Sequence, residues 1–216
     1  MSISLNLNKI SNEIPKNVLL VAVSKTKPIS DIKIAYKSGH LHFGENKTQE
    51  LVKKENKLPK NIKWHMVGHL QRNKVKYIAS FIYMIHSVDS IKLLKEINKQ
   101  AIKNNRNINV LIQVDISEDS TKFGFSFEEI NQLLLIEKFK EFQNVSIKGL
   151  MGMASLTSDK QLIRKEFNNL NDLYKNFKNK YSFEYLSMGM SSDYKIAIKC
   201  NSNIIRLGSN IFGKRN

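Results

Sequence analysis

Near the start of the chain stands the apolar run Val18-Leu19-Leu20-Val21-Ala22-Val23, which is followed at once by Ser24-Lys25-Thr26-Lys27-Pro28. A short run rich in β-branched residues that ends at a turn is typical of a buried β-strand. Lys25 therefore lies at the C-terminal tip of the first predicted strand. In a β/α barrel that edge holds the active site. A lysine in a dry site there loses its charge readily and becomes an amine nucleophile.

The same succession of apolar run, turn and helix signal recurs along the chain. Eight apolar runs predict strands over residues 18–23, 41–43, 62–67, 83–87, 110–116, 145–151, 185–188 and 204–207. Strands that alternate with helices predict a parallel sheet, and eight such units predict an α/β fold, one TIM-type (β/α)8 barrel domain over residues 1–216. The alternative is a doubly wound open sheet, which normally has a glycine-rich turn after its first strand, whereas residues 24–28 contain no glycine.

Helix signals lie between these strands. Ser30 is a candidate N-cap for a helix that stops at Gly39, and capping boxes are predicted at residues 46–49 and 126–129. Further helices are expected over residues 72–80, from residue 89 or 90, over residues 159–180, and over residues 193–200 with Ser191 or Ser192 as the cap.

The loops after the last two strands are rich in small residues. They are Ser187-Met188-Gly189-Met190-Ser191-Ser192 and Gly208-Ser209-Asn210. Barrels often bind phosphate at this position, and helix N-termini expected near Ser192 and Ser209 would favour an anion. Strands 1 and 8 are neighbours in a closed barrel, so an aldehyde with a phosphate group would bridge Lys25 and these loops. Pyridoxal phosphate and a sugar phosphate both fit that description.

Arg206 precedes the last of these loops by two residues. A guanidinium cannot accept a proton, so beside a pyridine nitrogen it would keep that nitrogen unprotonated and make the cofactor a weak electron sink. The alternative for Arg206 is a salt bridge at the barrel mouth. The alternative for Lys25 is a solvated lysine at a strand end, and Lys27 shares its strand parity, so periodicity does not choose between the two lysines.

The composition limits the class of protein. The net charge is +16, but only five of the 35 basic residues are arginine and the lysines are spread along the chain, which indicates a compositional bias and no specific nucleic-acid site. No apolar run is long enough for a membrane span and no signal peptide precedes the first strand, so a cytosolic protein is expected. Cys200 is the only cysteine and the five histidines form no His-Glu-x-x-His pair, so no metal site is predicted.

Short motifs follow one another in order from Leu20 to Arg215. They are Ala22-Val23-Ser24-Lys25-Thr26-Lys27-Pro28, Phe43-Gly44-Glu45-Asn46, Trp64-His65-Met66-Val67-Gly68-His69-Leu70-Gln71-Arg72-Asn73-Lys74, His86-Ser87-Val88-Asp89, Lys122-Phe123-Gly124, Gly149-Leu150-Met151, Leu186-Ser187-Met188-Gly189-Met190-Ser191 and Arg206-Leu207-Gly208-Ser209-Asn210-Ile211-Phe212-Gly213. Together they resemble the pyridoxal 5′-phosphate homeostasis protein family, whose barrel is similar to the N-terminal domain of bacterial alanine racemase. The order and spacing of the motifs make the resemblance specific.

The resemblance implies a set of cofactor-binding residues and a role. It assigns Lys25 as the Schiff-base lysine, Arg206 to the pyridine nitrogen and Asn46 to the neighbourhood of the ring, with four residues around the phosphate: Ser187, Ser191, Gly208 and Ser209. It implies a carrier or buffer of pyridoxal phosphate with no catalytic residue and no established turnover. Asn201 and Ala154 depart from the family pattern, where glycine and proline are frequent, and the N-terminal helix and C-terminal tail look short.

Two enzyme classes and one binding class compete with that role. A racemase needs a second base on the opposite face of its substrate. The related racemase takes that base from another domain, and no such domain is expected here because the chain ends soon after the eighth strand. A sugar-phosphate aldolase would use Lys25 as its Schiff base, and a nucleic-acid binder would use the positive charge. Pyridoxal phosphate-dependent apoenzymes are the expected partners, and a monomer is expected because no dimerisation helix is evident.

Overall fold

The computed structural model describes residues 2–117 and 123–213. Its eight strands are β1 (Leu19–Val23), β2 (His42–Glu45), β3 (Lys63–Met66), β4 (Met84–Val88), β5 (Ile108–Gln113), β6 (Val145–Met151), β7 (Tyr185–Ser187) and β8 (Ile204–Leu207). Each strand pairs in parallel with the next, and β8 pairs back to β1 to close the barrel. The predicted TIM-type (β/α)8 barrel is confirmed.

Helices alternate with the strands along the chain. They are α1 (Ile3–Glu13), α2 (Ile29–Lys37), α3 (Thr48–Glu55), α4 (Ile91–Lys103), α5 (Phe127–Leu135), α6 (Lys160–Tyr181), α7 (Tyr194–Lys199) and α8 (Ser209–Phe212), with 3₁₀ helices at Arg72–Tyr77 and Lys138–Glu141. α1 is the N-terminal helix that the resemblance implies. Within residues 2–117 and 123–213, none of these helices is both long and apolar enough to cross a membrane.

Some predicted helix starts are confirmed and others are wrong. Ser126 and Glu129 form the predicted reciprocal capping box of α5, and α4 has its N-cap at Ser90. The capping box predicted at residues 46–49 is absent, because Asn46 follows β2 directly and α3 begins only at Thr48. Ser30 is likewise no cap, since α2 starts one residue before it, and α7 starts at Tyr194, beyond both predicted cap serines.

The fifth strand begins and ends earlier than its apolar run. Residues 110–116 were the predicted strand, but β5 starts at Ile108, which pairs with Val145. At its other end the chain leaves the ladder after Gln113, and Val114 makes only an isolated bridge with Phe125. The apolar run continues past the strand because Val114 and Ile116 are buried in the shell between sheet and helices.

Side chains alternate between the barrel interior and this outer shell. The apolar part of the interior is a small cluster built from five strands, namely Val21, Met84, Leu111, Met151 and Ile204. The larger cluster lies outside the sheet and contains the biggest fully buried residues, Trp64, Phe43 and Phe167 among them. Buried polar residues complete the interior, which include His65, His86, Ser187 and Arg206. The barrel is therefore a filled core whose polar groups need partners inside it.

Gly149 allows β6 and β7 to approach each other. Its φ is +150°, and a Cβ atom built on it would lie 1.8 Å from the carbonyl oxygen of Tyr185. Its strand shifts register against β5 at the same place, between Val110 and Leu111. Only glycine fits this combination of backbone conformation and contact.

We expect Gly149→Ala to lower the free energy of unfolding by about 3 kcal/mol or more, because overpacking adds to the cost of the positive φ. Gly39→Ala is the matched control: Gly39 has φ +87° and no atom within 4 Å of a built Cβ. It should cost only about 1 kcal/mol. Urea denaturation of both variants measures the difference, and equal losses would contradict this account of β6.

Candidate functional site

A cavity of about 430 Å³ opens at the carboxyl end of the barrel. Six of the seven predicted site residues line it: Lys25, Asn46, Ser191, Arg206, Gly208 and Ser209. The structure does not bring the seventh, Ser187, into the wall. Lys27 lines the cavity as well, together with residues outside the predicted set: Val23, Val67, Met153, Met190, Ser192 and Gly213. The volume lies within the range of roughly 300–1,000 Å³ typical of small-molecule sites.

Lys25 lies at the corner of a tight turn directly after β1. The N–H of Lys27 donates to the carbonyl of Ser24 across 3.0 Å, which closes the turn. Thr26 has φ +66°, a conformation unfavourable for a β-branched residue, so surrounding contacts must hold it. The half-buried side chain of Lys25 leads from this turn into the cavity wall.

Three charged side chains on the outer side of the barrel hold that turn. The ammonium of Lys54 donates to the Ser24 carbonyl at 2.7 Å, to Glu45 Oε1 at 2.8 Å and to Glu50 Oε1 at 2.7 Å. The Ser24 hydroxyl donates to Glu45 Oε1 at 2.6 Å, and the Thr26 N–H donates to Glu50 Oε1 at 2.6 Å. Burial raises the pKa of Glu45, while Lys54 opposes that shift. The residues on both sides of Lys25 are therefore fixed.

Arg206 is buried on β8, with 4% of its surface exposed. Its Nη1 donates to the carbonyl and the hydroxyl oxygens of Ser187 at 2.9 and 2.5 Å, and its Nη2 donates to the Gly152 carbonyl at 3.1 Å. Burial lowers its pKa to about 10 and nearby Asp193 opposes the shift, so the guanidinium stays charged at neutral pH. Among the described residues Arg206 makes no ion pair within 4.0 Å, so the alternative of a salt bridge at the barrel mouth is not observed.

Ser187 lies behind Arg206. It has no exposed surface. Its hydroxyl accepts from Arg206 and is 3.1 Å from Nδ1 of His86, which lies in the barrel interior. The resemblance implied a place for Ser187 at the phosphate, whereas its hydroxyl contacts Arg206 and His86 and the residue does not line the cavity.

The loops after β7 and β8 meet at the cavity. The N–H of Gly208 donates to the Ser191 hydroxyl at 3.3 Å, and the N–H of Met190 donates to Asp193 Oδ1 at 2.6 Å. Helices α7 and α8, which begin beside these loops, have only six and four residues, so the two helix dipoles expected from the sequence contribute little. Serine hydroxyls and backbone N–H groups are the donors available to an anion here.

The wall combines three kinds of chemistry. Primary amines on Lys25 and Lys27 can bond an aldehyde carbon. The small residues Ser191, Gly208 and Ser209 offer donors to a phosphate, and Arg206 offers a fixed cationic donor to an aromatic nitrogen. An aldehyde, a phosphate and a pyridine ring in one small molecule match these groups.

The charged side chains that hold the Lys25 turn yield a prediction. Lys54→Met leaves the buried Glu45 without its cation and should lower the free energy of unfolding by about 3–5 kcal/mol. The control Lys60→Met removes the ion pair of Lys60 with Glu55, in which the lysine side chain is 69% exposed, and this should cost no more than about 1 kcal/mol because solvent screens the exposed ammonium. Urea denaturation at pH 7 compares them, and a Lys54→Met protein as stable as Lys60→Met would show that the buried ion group contributes little.

Comparisons with known proteins identify the family to which this barrel is similar. The family model of the alanine racemase N-terminal domain matches residues 2–216. The pyridoxal phosphate homeostasis protein of Schizosaccharomyces pombe is 40% identical over 205 residues, which are 93% of this chain and 85% of that protein.

Solved structures agree with these matches. PipY of Synechococcus elongatus superposes with a TM-score of 0.93 without pyridoxal phosphate and 0.89 with it bound, at 31% and 30% identity, over 98% of this chain and all of PipY in both cases. An alanine racemase from Clostridium difficile shares the fold at 17% identity and a TM-score of 0.81, where 99% of this chain covers 57% of the racemase. The chain belongs to the pyridoxal phosphate homeostasis protein family, whose members share the alanine racemase N-terminal fold.

Proposed function

We propose that this protein binds pyridoxal 5′-phosphate in the cavity at the carboxyl end of its barrel and takes part in cofactor homeostasis. The observation with most weight is that two lysine amines, two loops of small residues and a fixed guanidinium line one cavity. Membership of the family supports the role, and the structure of PipY with pyridoxal phosphate bound supports the ligand.

Lys25 is the proposed tether. Its amine adds to the aldehyde carbon of the cofactor, a C=N bond forms, and the carbonyl oxygen leaves as water; hydrolysis reverses the step. Val21 faces the barrel interior and Val23 faces the cavity, and Lys25 follows them on the same side of β1. Lys27, in contrast, comes after the chain has turned at Thr26. The fixed turn supports Lys25, because a tether needs one defined position beside the cofactor.

The rest of the cavity is assigned by the same chemistry. Ser191, Gly208 and Ser209 form the proposed phosphate contacts, Asn46 lies near the ring, and Arg206 faces the pyridine nitrogen. Ser187 then contributes indirectly, through its hydrogen bonds to Arg206. Bound in this way, the cofactor supplies an electrophilic aldehyde, and the protein supplies binding, orientation and a donor that cannot give the ring nitrogen a full proton.

The proposed partner of the pyridine nitrogen favours carriage over catalysis, and the wall offers few groups for acid–base catalysis. An unprotonated pyridine is a weak electron sink. Of the described residues that line the cavity, Lys25, Lys27 and Arg206 are the only ones with titratable side chains, so Lys27 is the one candidate for the second base that a racemase needs. We propose a buffer or carrier that passes the cofactor to pyridoxal phosphate-dependent apoenzymes, acting as a cytosolic monomer.

A racemase is the second candidate, because the fold is shared with alanine racemase and Lys27 stands in the same wall as Lys25. Incubation with amino acids followed by chiral analysis tests it. Sustained racemisation that is lost in both Lys25→Ala and Lys27→Ala would favour the racemase over the carrier.

We expect purified protein mixed with pyridoxal phosphate to become yellow, and borohydride to reduce the C=N bond and leave a pyridoxyl group on Lys25. Peptide mass mapping locates the group. Lys25→Ala should lose the colour and the adduct, whereas the matched variant Lys27→Ala should keep both. An adduct on Lys27 alone would show that Lys27, and not Lys25, is the tether. No adduct on either lysine would contradict the proposed function.

A further inference from the structure

A continuous chain of hydrogen bonds runs from Arg206 across the barrel interior. Nη1 of Arg206 is 2.5 Å from the hydroxyl oxygen of Ser187, which is 3.1 Å from Nδ1 of His86. Nε2 of His86 is 2.8 Å from Nδ1 of His65, and Nε2 of His65 is 3.0 Å from Nδ1 of His42. Four strands besides β8 therefore contribute to one chain: β7, β4, β3 and β2.

The three histidines are neutral at pH 7. His65 and His86 have no exposed surface, and burial lowers the pKa of each well below its usual value, with the charge of Arg206 adding to the effect at His86. Burial lowers the pKa of the half-buried His42 to about 4, with smaller contributions from His40 and Lys63. A neutral imidazole has one N–H donor and one acceptor nitrogen, so each bond in the chain has a direction.

Arg206 determines that direction. A guanidinium can only donate, so the Ser187 oxygen accepts from Arg206. If Ser187 also accepted from His86, its own hydroxyl hydrogen would have no acceptor among its observed contacts, at a buried position where that is costly. The Ser187 hydroxyl must therefore donate to Nδ1 of His86, Nε2–H of His86 to Nδ1 of His65, and Nε2–H of His65 to Nδ1 of His42.

We propose that Arg206 fixes His86, His65 and His42 as Nε2–H tautomers, and that His86 and His65 are positioning residues which, through Ser187, hold the guanidinium at the floor of the cavity. The chain orients Arg206 and delivers no protons to the cavity, because a guanidinium cannot relay a proton. Only its consequence for pyridoxal phosphate rests on the proposed function; the tautomers are a property of the protein alone.

The tautomers can be measured on the protein without cofactor. Imidazole ¹⁵N spectra of histidine-labelled protein at pH 7 should show Nε2–H at His86, His65 and His42. Two other histidines of the protein serve as internal references for the spectra. His40 bonds the carbonyl of His42 through Nε2 and should also be Nε2–H, whereas His69 bonds Asp89 through Nδ1 and should be protonated on Nδ1. An Nδ1–H or doubly protonated His86 would overturn the proposal.

Substitution of Arg206 tests whether this residue sets the tautomers of the histidines. Arg206→Met removes the donor to Ser187, so both directions of the chain become possible and Nδ1–H signals should appear at His86 and His65. Arg206→Lys keeps a donor-only cation and should keep the Nε2–H pattern. Unchanged tautomers in a folded Arg206→Met protein would show that another group sets the direction.

Replacement of a histidine tests the positioning role. In His86→Phe without cofactor, rotation of the Arg206 guanidinium, followed by ¹⁵N exchange spectroscopy of its Nη groups, should accelerate about tenfold, the effect of one weakened hydrogen bond. His69→Phe, which changes a histidine outside the chain, should leave that rate unchanged. Equal rates in the two variants would contradict the positioning role. If His86→Phe does not fold, the wild-type tautomers and Arg206→Lys still decide the tautomer part of the proposal, and the same rate measured in His65→Phe decides the positioning role, because His65 bonds His86 directly.

The affinity for pyridoxal phosphate tests whether the hydrogen-bond chain affects the cofactor site. The dissociation constant should rise about tenfold in His86→Phe and stay unchanged in His69→Phe. Failure of the wild-type protein to bind pyridoxal phosphate would count against the proposed function and leave the tautomer result standing. Binding that is equally tight in both variants, with the tautomers as expected, would overturn the positioning role alone.

Discussion

The hydrogen bonding of the Arg206 guanidinium is the interaction on which the interior of this barrel depends. A buried cation is tolerated only where its donors are satisfied, and Arg206 meets that need with the Ser187 carbonyl and hydroxyl and the Gly152 carbonyl. These acceptors lie on β7 and just beyond β6. One side chain of β8 therefore joins three neighbouring strands, including β7 and β8, which share a single pair of register partners.

The cavity owes its geometry to two rigid ends. At one end the ion group of Glu45, Glu50 and Lys54 holds the turn that contains Lys25 from outside the barrel. At the other end Ser187 and the histidines behind it hold Arg206 from inside. None of these supporting residues lines the cavity. A small molecule bound as proposed, to the lysine and the guanidinium, would meet groups whose positions are set before it arrives, which would reduce the entropy cost of binding.

Much of this architecture follows from the sequence. Eight apolar runs separated by helix signals predicted the closed barrel, and six of the seven predicted site residues line one cavity, because strand ends in a parallel barrel converge on one rim. Lys25 and Arg206 could be placed at the same end of the barrel from the sequence for that reason.

What the sequence did not predict lies in side-chain partnerships between distant elements. Lys54 is one of many lysines on polar helices, and nothing in the pattern of α3 indicates that its side chain is only 6% exposed. Histidines 42, 65 and 86 lie on three different strands, and only the stagger of those strands brings their rings into line. The family resemblance implied that Ser187 lies at the phosphate, but on β7 its hydroxyl points toward His86.

In the proposed site a charged, fixed guanidinium meets the pyridine nitrogen of a cofactor tethered to Lys25. The ¹⁵N chemical shift of that nitrogen, measured on protein loaded with ¹⁵N-labelled pyridoxal phosphate at pH 7, tests it most directly. The account predicts the shift of an unprotonated pyridine that accepts a hydrogen bond. The shift of a pyridinium ion would contradict it, because Arg206 could not then be the group that faces the ring.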